Sequence, residues 1–417
     1  MRFELVCTSC GIRSPFTRQT GCGCGGIRLV EYDMEQVGKT MTKTSVRRRA
    51  ASMWRYAELL PVRHAAHIVS LGEGWTPLVR LRAAEAALPL SKLWVKREEH
   101  NPTGSFKARG MSAAVSVAAS FGVRKVAVNS NGNAASALAA YAAYAGMACY
   151  AFVPGDCPGP IVEECVHYGA HTYLVDGLIH DAGAIIKDGE QEQGWHHVGT
   201  LREPGRTEGK KTMGFELAEQ LGWRLPDVIV YPTGGGSGVV GMYRAFVQLR
   251  ELGLVGGELP RFVCVQEAGC QPLVDALADG AMDGAEQRRA GGVSSTKPSA
   301  RVSSSPTGMR VPQPHDVGML TDIVRRTGGT AAAVTVAEIE RAQLALGRHG
   351  ISASPEGGAT WAGMLRLCEE GWIRPQDEVV LFNTAHAMKY WPFAYKKPPV
   401  VNSYQDWLNV RQAATEE

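Results

Sequence analysis

The chain has 417 residues, more than one comfortable core needs, and at roughly 150 residues per domain this predicts two domains with room for a site between lobes. With 45% hydrophobic and 20% charged residues it is globular and not disordered; Lys+Arg 44 against Asp+Glu 41 leaves a net charge of +3, which predicts no nucleic-acid partner. Glycine, at 48 residues against an average of roughly 7%, implies many turns that need positive φ or a close approach to something small.

Four of the ten cysteines, Cys7, Cys10, Cys22 and Cys24, fall at the start of the chain. Their first pair is a C-x2-C knuckle of the kind that holds zinc, while the second is C-x-C, tighter than the usual spacing, so metal binding stays open on spacing alone. Any metal held by four cysteines is structural, because no position is left for substrate. A nucleic-acid-binding zinc ribbon is a further reading of this segment, opposed by the near-neutral charge. The opening MRFELVCTSC lacks the basic and long apolar regions of a signal peptide, which predicts a cytoplasmic protein with reduced thiols. The other six cysteines, such as Cys149 and Cys264, read as buried small hydrophobes.

Arg47-Arg48-Arg49 reads as a solvated charged face, followed by a helical stretch through Leu60 that Pro61 ends. From Leu93 onward, short β-branched or aromatic runs alternate with helical patterns: LWVKRE, KVAVNS, CYAFVP, HTYLVDG, WHHVGTL, DVIVYPTGG, RFVCVQE and EVVLFNT. Such alternation predicts an α/β architecture with a mostly parallel sheet, whose ligands bind beyond the carboxyl ends of the strands. The apolar stretch from Ala134 to Val153 is alanine-rich and interrupted by Ser136 and Gly146. It reads as a helix followed by a strand and not as a membrane span. Residues Gly284 to Pro314 turn Ser/Gly/Pro-rich and read as a mobile surface loop, a candidate lid; the last dozen residues read as an exposed polar tail.

Three strand-to-helix junctions carry the chemistry. In Asn101-Pro102-Thr103-Gly104-Ser105-Phe106-Lys107-Ala108-Arg109-Gly110, Lys107 falls in the first turn of a helix, where the dipole disfavours its charge; alone it reads as a solvated lysine, and desolvated as a Schiff-base lysine. Ser130-Asn131-Gly132-Asn133 precedes an alanine-rich helix and reads either as an ordinary cap or as a pocket for an anion. Thr233-Gly234-Gly235-Gly236-Ser237-Gly238 exposes consecutive amides at the start of a helix near Val239, a phosphate cradle without the lysine of a Walker loop, or a plain turn. An activatable lysine, an anion pocket and a phosphate nest together point to pyridoxal 5′-phosphate.

On these residues, and on Gly72-Glu73-Gly74-Trp75-Thr76-Pro77-Leu78, Arg206-Thr207-Glu208-Gly209-Lys210-Lys211-Thr212 and Pro355-Glu356, the chain resembles the fold type II (tryptophan-synthase-β-like) pyridoxal-phosphate enzymes over nearly its whole length, and within them the threonine synthases and close paralogs. The resemblance implies two open, twisted, mostly parallel sheets with the active site between lobes. A cysteine ribbon would span 1–35, a large cofactor-binding domain 36–112 and 205–417, and a small substrate-binding domain 113–204. It further implies that Lys107 binds the cofactor covalently and moves the α-proton, that Phe106 packs beside the ring and Asn133 meets the 3′-oxygen. Gly234, Gly235, Gly236, Ser237 and Gly238 would hold the phosphate, and the Thr384 hydroxyl would meet the pyridine nitrogen. Ser130, Asn131 and Gly132 would receive the substrate carboxylate. The cysteines would hold a structural zinc, and the enzyme would act as a homodimer.

The implied reaction is β- or γ-elimination and replacement on a small amino acid, as in conversion of O-phospho-L-homoserine and water to L-threonine and phosphate. The alternatives are a hydroxy-amino-acid dehydratase or β-replacement synthase, or a non-catalytic protein on the same scaffold, against which Lys107 argues. Two departures bear on this. Where the family has Asn-Pro-x-Arg, this chain has Glu203-Pro204-Gly205-Arg206; a carboxylate there would repel a substrate phosphate unless it points away, while Arg206 would still bind one. The family's Thr-Gly-x-Gly-Leu-Lys reads Thr384-Ala385-His386-Ala387-Met388-Lys389, which predicts a reshaped loop and leaves His386 as either an acid-base group or a cap.

Overall fold

The computed structural model describes residues 3–18, 21–279, 306–390 and 399–415, and three sheets organise them. Strands β1 (Phe3–Cys7), β2 (Arg13–Pro15) and β3 (Arg28–Tyr32) form a small antiparallel sheet in the order β2-β1-β3. Phe3, Leu5 and Cys7 alternate inward along β1, the period of two that a half-buried strand requires. Pairing of Cys7 with Arg28 brings the turn after β1 beside the start of β3 and so gathers the four cysteines.

Next in the chain come β4 (Leu78–Arg80) and β5 (Lys92–Arg97). A four-stranded, wholly parallel sheet follows, built from β6 (Lys125–Asn129), β7 (Ala148–Pro154), β8 (His171–Val175) and β9 (His196–His197) in the order β8-β7-β6-β9. The chain then returns through β10 (Val228–Pro232), β11 (Arg261–Glu267), β12 (Thr330–Val334) and β13 (Glu378–Asn383). These join the earlier pair in a six-stranded sheet ordered β12-β11-β10-β13-β5-β4, parallel except for β4. Every residue of β10 and β13 is buried, as expected of central strands with helices on both faces. Cys149 and Cys264 are buried in β7 and β11, as their sequence setting predicted.

Every run expected as a strand is one. β4 is only three residues long and β12 is TAAAV, its centre all alanine, so neither carries a run of β-branched residues. The helical stretch expected through Leu60 is instead a short helix, Lys43–Arg47, and a 3-10 segment, Met53–Leu59, with Tyr56 off helical geometry. Tertiary contacts override propensity there: Met53 N donates to Glu73 O at 2.9 Å, and Tyr56 and Glu58 are both buried. The expected polar tail is the helix Tyr404–Thr415. Of the expected loop, residues 284–305 lie outside the described residues; Pro306 to Pro314 run as turns. The apolar stretch before Val153 is the helix Asn133–Tyr144 followed by β7, and among the described residues no helix is long and apolar enough to cross a membrane.

Two helices bear on everything that follows. The helix Lys107–Ser120 packs against Pro204–Gln220 through glycine: a Cβ on Gly209 would sit 2.0 Å from Arg109 O, and one on Gly110 would sit 2.9 Å from Arg206 O. The backbones therefore touch, and any side chain at either position would push them apart.

Beside that contact lies a buried ion cluster. The Arg109 guanidinium donates to Glu98 through Nε at 2.7 Å and to Glu216 through Nη1 at 2.8 Å, and Lys96 Nζ also donates to Glu216. Glu216 accepts from Trp75 N and Thr76 N, both at 2.7 Å, so one carboxylate ties the Gly72–Leu78 segment to two helices. Glu73 of the same segment accepts from Tyr141 Oη at 2.6 Å, Ser112 Oγ at 2.7 Å and Trp54 Nε1 at 2.9 Å. The motif is a clamp, and its polar groups are satisfied within the core.

Candidate active site

The carboxyl ends of β6, β9, β10 and β13 converge on a cavity of about 380 Å³, where an open parallel sheet is expected to bind its ligand. Thr384, just after β13, lines it, and Thr384 O accepts from Phe106 N at 2.9 Å, which seats the Lys107 turn beneath the cavity. Lys107 is the first residue of its helix and keeps part of its surface open to the cavity. Its Nζ lies 4.5 Å from the centre of the Phe106 ring. Burial, reinforced by the like charge of Arg206 and only partly opposed by Glu356, lowers its pKa from the usual lysine value to about 7. A substantial fraction is therefore the free amine at neutral pH, the state a nucleophile or base needs.

The glycine run after β10 forms the opposite wall. Gly234, Gly235, Gly236, Ser237 and Gly238 all line the cavity, and the helix begins at Ser237, two residues earlier than expected. Gly236 caps it at φ 75°, a left-handed conformation that glycine adopts without strain, and a Cβ there would strike the Leu320 side chain at 2.4 Å. The helix start and the glycines before it give amide donors with a favourable dipole, a cradle for an anion.

Ser130, Asn131 and Gly132 also line the cavity, but several of their polar groups are already engaged. Ser130 Oγ accepts from Gly132 N at 3.0 Å and from Ala135 N at 3.3 Å, so Ser130 caps the following helix; Asn131 Nδ2 donates to Arg310 O at 2.6 Å. Asn133 Nδ2 donates to Tyr390 Oη at 2.8 Å, and Tyr390 in turn donates to Glu356 Oε1 at 2.9 Å. That chain leaves Asn133 Oδ1, Glu356 Oε2 and Thr307 Oγ1 buried in the cavity wall without a partner among the described residues. Unpaired buried polar atoms gathered in one wall mark a place where a polar ligand belongs.

A second group of cations lines the same cavity: Arg202, Arg206 and Lys187, with His197 and His315. None of the three cations forms an ion pair among the described residues. Arg206 Nη1 donates to Val198 O at 2.8 Å while its Nε has no partner among the described residues, and burial lowers its pKa to about 10 despite Glu203. His197 Nε2 pairs with Asn129 Oδ1 at 2.9 Å, and Asn129 Nδ2 is held by Ile179 O, so Nε2 carries the imidazole proton. Burial, then Arg202 and Arg206, press its pKa down to about 3.

Glu203 does not oppose this cluster. It lies outside the cavity wall, where it caps the Pro204–Gln220 helix, Oε2 accepting from Arg206 N at 2.9 Å; burial, partly offset by backbone N–H donors, raises its pKa to about 7. The repulsion feared from a carboxylate at this position is thereby removed. His386 lies outside the wall as well: its Nδ1 accepts from Met388 N at 3.2 Å, making it a cap and not an acid-base group. Ala385 pairs with Ser105 in an isolated bridge, and neither it nor Ala387 has positive φ, so alanine fits that loop unstrained.

Sequence reasoning missed Tyr390, Thr307, Arg202, His197 and His315, and gave Glu356 no role. Pro355 opening a helix was a usable signal for Glu356, whereas Tyr390 had none. Away from the cavity, the Sγ atoms of Cys7, Cys10, Cys22 and Cys24 lie within 4.8 Å of one another, with Cys7–Cys24 at 3.5 Å and Cys10–Cys22 at 3.6 Å.

Residues 69–385 match the family described as pyridoxal-phosphate dependent enzyme. The chain is 34% identical over 370 residues to the threonine synthase of Methanocaldococcus jannaschii, covering 88% of each, and 32% identical over 394 residues to that of Methanosarcina acetivorans, covering 93% of this chain and 92% of the relative. Among solved structures, maize serine racemase superposes with a TM-score of 0.60 at 19% identity, over 82% of this chain and 93% of that one, a likeness of fold.

Proposed function

The chain belongs to the pyridoxal-phosphate-dependent enzymes, and from that premise we propose that it is a lyase of the threonine-synthase type whose substrate is an amino acid with a phosphorylated side chain, O-phospho-L-homoserine, converted with water to L-threonine and phosphate. The observation that carries this reading is the second cation group. One phosphate cradle serves the cofactor, and Arg202, Arg206 and Lys187 remain in the same cavity without carboxylate partners, matching a second phosphate.

The residues present fit the cofactor. Lys107 offers a free amine, the Gly234–Gly238 cradle offers amide donors for its phosphate, and Asn133 Oδ1 is an unpaired acceptor for a ring hydroxyl. Thr384 offers a neutral hydroxyl for the pyridine nitrogen, and Phe106 an apolar face for the ring. When bound, the cofactor supplies an electron-withdrawing ring that delocalises the charge left on the substrate's carbons as protons leave. Lys107, with its pKa near neutrality, takes and returns those protons through Nζ. Arg206 and Arg202 hold the side-chain phosphate and stabilise the charge that grows as its C–O bond breaks. His197, kept neutral, adds an uncharged wall that orients without competing for protons. Ser130, Asn131 and Gly132 form the subsite for the substrate carboxylate, which must exchange with the bonds these residues now make, Gly132 N to Ser130 Oγ and Asn131 Nδ2 to Arg310 O among them.

Purified holoenzyme given O-phospho-L-homoserine should release phosphate and L-threonine in equal amounts, with far slower release of oxo acid from L-serine or L-threonine; the reverse preference sinks this reading. Arg206→Gln should raise KM for the phosphorylated substrate about 10- to 100-fold, the loss of one charge-assisted contact, with a smaller effect on any unphosphorylated amino acid.

The four cysteines hold a structural zinc in the same reading. Tetrahedral thiolates at Zn–S distances of about 2.3 Å stand about 3.8 Å apart, close to the Sγ separations of 3.5 and 3.6 Å. Elemental analysis should find about one zinc per chain, lost in the Cys10→Ser/Cys22→Ser variant, whose cofactor absorbance stays intact. The reading also includes a cytoplasmic homodimer, whose mass light scattering measures.

A further inference from the structure

Among the described residues three lysines are fully buried, Lys96, Lys210 and Lys211, and two are explained at once. Lys96 Nζ rests on the Glu216 carboxylate and Lys211 Nζ on that of Glu208. Lys210 has no carboxylate in contact among the described residues. Its Nζ donates to Ser237 Oγ at 2.6 Å and lies 5.6 Å from the Phe106 ring. The charges that reach it are Arg206 on its own helix and Lys107 on a neighbouring one, both of its own sign, with Glu203 at the cap the only opposing one among the described residues. A buried ammonium without a counter-ion is strongly disfavoured. Burial first, then those two cations, push its pKa well below the lysine range.

This position is built for it. Gly110 leaves the space its stem occupies, since a Cβ there would lie 3.2 Å from Lys210 Cε. Ser237, the group it touches, opens the helix at the anion cradle and lines the cavity, which Lys210 itself does not. The missing counter-ion is thus one hydrogen bond away, on the far side of a serine.

We propose that Lys210 is the counter-charge to the cofactor's phosphate, a positioning residue that acts through Ser237. This rests on the reading of Gly234 to Gly238 as the phosphate cradle. With the cradle empty, the amine is neutral and one of its N–H groups donates to Ser237 Oγ. When a phosphate enters, Lys210 takes a proton from solvent, its N–H donates to Ser237 Oγ, and the hydroxyl proton turns to a phosphate oxygen. Phosphate binding is thereby coupled to proton uptake at a residue the ligand never touches.

Pyridoxine 5′-phosphate and pyridoxine are the probes, because neither carries the aldehyde that would engage Lys107. Calorimetric titration of the cofactor-free full-length chain should show the phosphorylated probe binding at least about 30-fold tighter than pyridoxine, with proton uptake read from two buffers of different ionisation enthalpy. In Lys210→Met, and in Lys210→Gln should the first not fold, that advantage should shrink to about 3-fold or less while pyridoxine affinity is unchanged, and about one proton of uptake at pH 8 should vanish. Variants that keep both the phosphate advantage and the proton uptake overturn the proposal and leave the cradle reading standing. A wild-type chain that does not favour the phosphorylated probe overturns both.

Discussion

Replacing Lys107 with alanine should remove the absorbance band of the covalently attached cofactor, leaving that of the free aldehyde, and lower turnover by at least about 1000-fold, a loss of about 4 kcal/mol of transition-state stabilisation. The expectation rests on where the amine sits. It opens a helix at the floor of the cavity, and burial with Arg206 nearby keeps a large share uncharged near pH 7. In the unaltered protein, covalent capture of cofactor should accelerate as pH rises through about 7, because only the free amine attacks. Stopped-flow absorbance between pH 6 and 8.5 checks this, and a flat profile would contradict the lowered pKa. Noncovalent affinity for the cofactor should fall far less than turnover in the alanine variant, since the Gly234–Gly238 cradle is untouched.

The second large effect is on stability. Arg109→Leu removes the cation shared by Glu98 and Glu216 and leaves two carboxylates in a space with no solvent, a change that costs about 3–5 kcal/mol in comparable buried pairs. Urea unfolding followed by circular dichroism should show the unfolding free energy fall by that amount, with a lower midpoint; an unchanged midpoint would mean that Lys96 alone satisfies both. Burial raises the pKa of Glu216, but Arg109 and Lys96 outweigh it and bring the value down to about 2. A depressed carboxylate stabilises the fold fully above its unfolded value, about 4.5, and that contribution is lost as pH falls through about 2. Because Arg109 stands two residues from Lys107, the same variant should retain cofactor yet turn over about 10-fold more slowly, through displacement of the amine.

The fold and the cofactor face were legible because both are written locally. Strands with β-branched residues end in glycine, serine and asparagine where a backbone must meet a ligand, and a sheet's carboxyl edge collects them. What escaped is held by distant chain. Tyr390 matters only because it bridges Asn133 and Glu356, and Lys210 only because its helix lies against Gly110. Glu203 was left open between facing a substrate phosphate and pointing away, and the structure shows the second. Its place directly before Pro204 is the signature of a helix cap, and that local signal outranked its apparent place in a substrate motif. β12 left no trace because alanine has no preference strong enough to announce a strand.

The glycine contact between the Lys107 and Pro204 helices has a consequence for how such an enzyme can diversify. Lys107, Arg206 and Lys210 ride on two backbones that touch, so none of them can be relocated without rebuilding both helices. The opposite wall, with His180 and Lys187, comes from a helix over the four-stranded sheet that makes no such contact. Descendants that acquire new substrates should therefore accumulate their changes on that wall, and laboratory selection for a new side-chain preference is best aimed there, with the glycine-locked pair left as inherited.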